Sequence, residues 1–162
     1  MRIRSLIPVA VALFVLVAAA PTASAQCGNP TCSFQTFNLA PNSPVLTVLN
    51  CPNIGNPLFH VHVLPVPPGS NVLAFWATAT TGGIGIPINL GGPTPYNILI
   101  DPSTILLTTS SIADGSGHAP HYVSIPNDAS LLGAFLAIQC FYFNAATSSG
   151  VLLNRISFTV CS

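Results

Sequence analysis

Turn-forming residues interrupt this chain so often that nothing between them is long enough for an amphipathic helix. Pro65-Val66-Pro67-Pro68-Gly69-Ser70, Asp101-Pro102-Ser103 and Ala113-Asp114-Gly115-Ser116-Gly117 are the plainest stops. Proline presets φ and removes a ladder donor, glycine supplies the reversal, and Asp closes a turn with its own side chain. Between two such stops, residues 58–64 alternate Phe59, Val61 and Val63 with His60 and His62. A period of two is that of a half-buried strand.

The stretch 111–143 shows the whole pattern. A hairpin-type Asp-Gly turn leads into a strand over 118–126. Asn127 or Asp128 then caps one helical turn through Leu132, which Gly133 closes, and a long apolar strand covers 134–143. Further strands are expected around 34–39, 45–49, 72–80, 96–100, 104–109 and 151–160. In the 72–80 strand Phe75 and Trp76 take opposite faces, so both sides need cover. In the last, Ile156, Phe158 and Val160 share one face, with Arg155, Ser157 and Thr159 on the other. Residues 82–95, with five glycines and three prolines, read as irregular. About eight or nine short strands at regular spacing predict an all-β fold, an antiparallel β-sandwich of Ig-like or jelly-roll-like kind.

The first 25 residues read as a secretory signal peptide. Arg2 and Arg4 precede an apolar run over 6–20, and Ala23-Ser24-Ala25 supplies the small-residue cleavage site. Cleavage there makes Gln26 the first residue and leaves 137 of 162 residues, the size of one domain. Cys27 does not fit a lipobox, since Gln26 precedes it. No later stretch is long and apolar enough to span a bilayer. The expected organisation is a signal peptide over 1–25, a Cys- and Pro-rich arm over 26–44 and a single sandwich over 45–162, with the protein secreted or held at the cell surface.

Charge narrows the function. After cleavage Arg155 is the one arginine, Asp101, Asp114 and Asp128 are the carboxylates, and Lys and Glu are absent. Nucleic-acid binding needs several cations to neutralise phosphates, and a polybasic membrane surface needs them too. Both classes are excluded. A surface wetted by Asn, Ser and Thr with little net charge favours association, so self-association or adhesion at a cell surface is a live partner reading beside a plain monomer.

The cysteines are Cys27, Cys32, Cys51, Cys140 and Cys161. In an oxidising compartment they read as disulfide candidates. Five is odd, so one is free or pairs between chains. Cys161 tied to an N-terminal cysteine would clamp the two ends, but spacing does not assign the pairs.

Little catalytic chemistry is on offer. Gly115-Ser116-Gly117-His118 is not a strand-to-helix nucleophile elbow. Each Asp stands where Asp makes a turn or cap, which argues against an opposed glycosidase pair. Gly82-Gly83-Ile84-Gly85 has no following Lys or helix to make it a phosphate loop. Trp76, Tyr96, Tyr122 and Tyr142 could line a sugar-binding face, although buried aromatics are commoner. The metal-ligand candidates are His60, His62, His118 and His121, with Asp114 or Asp101 as a carboxylate, for zinc or copper. The commoner use of such histidines is as polar strand and turn residues in a chain that lacks Lys and Glu.

Four motifs carry a resemblance: Val63-Leu64-Pro65-Val66-Pro67-Pro68-Gly69-Ser70, Leu99-Ile100-Asp101-Pro102, Ala113-Asp114-Gly115-Ser116-Gly117-His118-Ala119 and Ile125-Pro126-Asn127-Asp128-Ala129-Ser130-Leu131-Leu132-Gly133. Together they resemble an uncharacterised exported β-sandwich domain found at the C-terminal end of secreted proteins from planctomycetes and other large-genome bacteria. The resemblance covers roughly 45–161. It implies export and fold, matches Gln139 and Asn154 to recurrent strand residues, and carries over no catalytic residue. His60-x-His62 and Cys140 depart from the pattern. The expectation is a secreted, non-enzymatic, disulfide-tied sandwich with a structural, adhesive or surface-assembly role and no cofactor. The alternative is an extracellular carbohydrate- or metal-binding module that uses the aromatics or the His60/His62 pair.

Overall fold

A computed structural model describes residues 32, 34–39, 42, 46–92, 94–144 and 148–162. The signal peptide expected over 1–25 and Cys27 lie outside them. The described residues form an antiparallel β-sandwich with two 3-10 turns and ten strands. The strands are β1 (Phe34–Phe37), β2 (Leu46–Val48), β3 (Phe59–Val63), β4 (Asn71–Ala77), β5 (Ile86–Ile88), β6 (Tyr96–Ile98), β7 (Ile105–Ile112), β8 (Ala119–Val123), β9 (Phe135–Asn144) and β10 (Ser149–Thr159). One sheet runs β1-β10-β9-β4-β7, a second runs β2-β3-β8, and β5 and β6 make a separate ribbon.

The core lies between the first two sheets. Phe59 and Val61 of β3 meet Trp76 of β4, Ile138 of β9 and Phe158 of β10. Phe59 sits 4.8 Å from Phe158 and 6.2 Å from Trp76, ring centre to ring centre, in tilted and edge-on arrangements. Truncating such a buried aromatic to alanine costs about 3–5 kcal/mol, so these rings carry much of the sandwich. Phe75, next to Trp76, faces the other way and lies under the β5–β6 ribbon, so both faces of β4 are covered.

Two regions differ from the sequence expectation. The segment 82–95 is not wholly irregular, because Ile86, Pro87 and Ile88 pair with Ile98, Asn97 and Tyr96. Gly85 permits that ribbon, since a β-carbon there would collide with the Asn97 side chain. The arm also contributes to the sandwich: β1 pairs with β10, Phe34 opposite Phe158. Cys32 forms a disulfide with Cys161 across 129 residues. Cys51 is disulfide-bonded as well, and Cys140 is a free, buried thiol.

Buried amides replace the ladder where strands stop. The β9–β10 register shifts between Leu152 and Arg155. There Asn154, wholly buried, accepts from the Leu46 N–H at 2.9 Å and donates to the Leu46 carbonyl at 3.3 Å, joining the two sheets. Gln139 accepts from Leu99 N–H at 2.8 Å and donates to the carbonyls of Asn97 and Leu153. Asn42 accepts from Asn97 N–H and donates to the Asn97 and Leu153 carbonyls. The ribbon is thus pinned to the sheet by side chains. Arg155 donates to the Leu99 carbonyl and lies 4.8 Å over the Phe37 ring.

Candidate functional site

The alternation of β3 turns His60 and His62 away from the core, onto the outer face of the three-stranded sheet. Pairing with β8 sets Tyr122 opposite His60 and Pro120 opposite His62. The rings form a row: Tyr122 to His60 at 5.1 Å, His60 to His62 at 4.8 Å, and His62 to His118 at 4.2 Å between centres. His118 stands just before β8, two residues from Pro120, so it is the diagonal same-face neighbour of His62. Its Nε2 is in direct contact with Nδ1 of His62.

The turn ahead of His118 fixes that approach. Asp114 Oδ1 accepts from the Ser116 N–H, the Ser116 hydroxyl and the His118 N–H. Gly117 has φ +79°, and a β-carbon there would run into the Val66 carbonyl. Only glycine fits both conditions. The other carboxylate oxygen of Asp114 lies 3.8 Å from Nδ1 of His118. The hydrogen bonds from Ser116 and the His118 N–H hold the Asp114 carboxyl below its usual range. Burial, then the neighbouring His118 and His60, push His62 down to about 4, so it is neutral at physiological pH.

His121 does not join this row. It stands opposite Val61 and faces the core, 1% exposed. Its Nδ1 lies 3.1 Å from the Thr109 hydroxyl, which also accepts from Trp76 Nε1 at 3.1 Å. Nε2 is buried without a hydrogen-bond partner. Of the four candidate ligands, three share a face and the fourth is on the other side of the sheet.

The remaining candidates are dispersed. Asp101 accepts from the Ser103 N–H and hydroxyl, and Asp128 accepts from the Ser130 N–H, each heading a 3-10 turn. Trp76 is in the core while Tyr122 is exposed, so the aromatics do not form one sugar-binding face. The Cys140 thiol is raised far above its usual range by burial, which makes it a poor nucleophile. Among the described residues, no helix is long and apolar enough to cross a membrane.

Residues of the ribbon and sheet also line an apolar cleft of about 260 Å³, among them Phe75, Ile88, Ile98 and Phe141. Sequence reasoning did not find it, although Phe75, set opposite Trp76, was the signal that this face needed cover. No family model, curated protein or solved structure matches the chain.

Proposed function

We propose that this chain is an exported, non-enzymatic β-sandwich with a structural, adhesive or surface-assembly role. The observation that supports it is how the ionisable groups are used. Each aspartate closes its own turn, Arg155 is buried against Leu99 and Phe37, and the free thiol lies in the core. General acid–base or nucleophilic catalysis needs such groups paired at an accessible site; the histidines on the outer face are instead set against one another. The apolar start of the chain and the Cys32–Cys161 disulfide fit an oxidising, extracellular setting.

The test is fractionation after expression from the chain's own start in a secreting bacterium. The protein should leave the cytoplasm with Gln26 as its first residue and sediment with the cell envelope. A cytoplasmic, uncleaved product would sink the export reading. A freely soluble monomer that turns over an ester or glycoside would sink the structural one. The second reading, a binding module, is favoured for metal over sugar by the approach of His62 and His118 on the outer face.

A further inference from the structure

Three imidazoles and one carboxylate stand in line across the outer face of the three-stranded sheet, and the line is polarised. Asp114 Oδ1 is taken up by its turn, so Oδ2 is the oxygen turned towards Nδ1 of His118 at 3.8 Å. A carboxylate at Nδ1 favours the tautomer protonated there and leaves the lone pair on Nε2. That Nε2 meets Nδ1 of His62. Neither ring is on a loose loop. His62 is in the central strand of its sheet, opposite Thr47 on one side and Pro120 on the other, and the Asp114 turn holds the backbone N–H of His118.

The geometry points to a metal site: Nδ1 of His62 and Nε2 of His118 together hold a divalent first-row transition-metal ion, copper(II) ahead of zinc(II). Imidazole nitrogens suit these ions, whereas magnesium and calcium require oxygen donors, and copper stands above zinc in intrinsic affinity. Asp114 is a positioning residue that acts through its turn, which holds the His118 backbone N–H, and through its charge, since Oδ2 at 3.8 Å from Nδ1 stands beyond hydrogen-bond distance. Nδ1 of His60 lies 2.9 Å from the Leu58 carbonyl, and the His60 ring stacks on His62 without supplying a ligand. Among the described residues, no group of three or more His, Cys, Asp or Glu side chains is arranged to hold a metal. Two protein ligands leave the other coordination positions to water, so the ion exchanges with solution, unlike the closed four-ligand sites that stabilise folds. The site rests on the second reading above, a metal-binding module, and names its ligands; it does not depend on the structural role.

The test uses the exported protein, purified without a His-tag and stripped with a chelator. Copper(II) and zinc(II) are titrated separately at neutral pH by calorimetry, and the copper form is examined by electron paramagnetic resonance. One saturable equivalent is expected, tighter for copper, with the signature of two equatorial nitrogens. His62→Gln and His118→Gln should each weaken binding about tenfold or more, as should Asp114→Asn, which keeps the turn acceptor but not the charge. His60→Gln should bind as the parent does. Absence of saturable binding to the parent overturns the assignment, and so does undiminished binding by both His62→Gln and His118→Gln. Loss in His60→Gln with retention in His118→Gln overturns it too. Circular dichroism checks that each variant folds, and His118→Gln, altered outside the strand ladder, carries the test alone if His62→Gln does not.

Discussion

Val61 and His121 stand directly opposite one another on β3 and β8, and so His121 shares the core face while His62, one residue along, does not. The consequence is a dependence on pH. Burial lowers the pKa of His121 from 6.5 to about 4, whereas in the unfolded chain it protonates near its ordinary value. Between those values the unfolded state binds the extra proton. The stabilising contribution is complete above about pH 6.5 and is lost as pH falls towards 4. The shift corresponds to about 3 kcal/mol at most. Denaturant unfolding of the parent and of His121→Gln at neutral and acid pH should show a smaller acid loss in the variant. Equal losses would mean that His121 is not the titrating group.

Asn154 should be among the costliest polar residues to remove. Its truncation to alanine strands both the N–H and the carbonyl of Leu46 in a buried position. Each unsatisfied group costs about 1–3 kcal/mol. Asn154→Ala is therefore expected to lower unfolding free energy by about 2–4 kcal/mol, read from the urea midpoint. Asn154→Asp keeps one acceptor and forfeits the donor, and should do no better, because it buries a charge.

The Cys32–Cys161 bridge closes 129 residues. Restricting so long a loop in the unfolded chain stabilises by about 2–5 kcal/mol. Cys32→Ser/Cys161→Ser should lose that amount, and addition of reductant should lower the parent's melting temperature at least as far, since the Cys51 disulfide is reduced with it.

Cys140 should be silent to thiol reagents until the protein unfolds. Its sulfur is wholly buried and its thiol is held protonated by that burial. Iodoacetamide followed by mass spectrometry should leave Cys140 unlabelled in buffer and labelled in guanidinium. Rapid labelling of the native protein would contradict its place in the core.

The local rules carried most of the strand pattern and little of the pairing. Alternation over 58–64 was enough to set His60 and His62 on one face, and the Asp turns were visible because their chemistry lies within a few residues. His118 and His121 look equivalent along the chain. Only the register of β8 against β3, a relation across some sixty residues, sends one outward and the other into the core. The ribbon strand Ile86–Ile88 was hidden because it forms only against Tyr96–Ile98, a segment itself held through Asn97 and Leu99 by Asn42 and Gln139 from distant parts of the chain. The odd cysteine was ambiguous in the same way: the count left one either free or paired between chains, and neither its identity as Cys140 nor its burial was legible.

The disulfide has a mechanical meaning as well. Cys32 lies just before β1 and Cys161 just after β10, and those two strands are neighbours. Tension entering at one of these points and leaving at the other travels through a covalent bond and bypasses every hydrogen bond of the sheets. Between such attachment points the domain is inextensible: it bears load as a rivet does, and the strands between remain folded because no force reaches them.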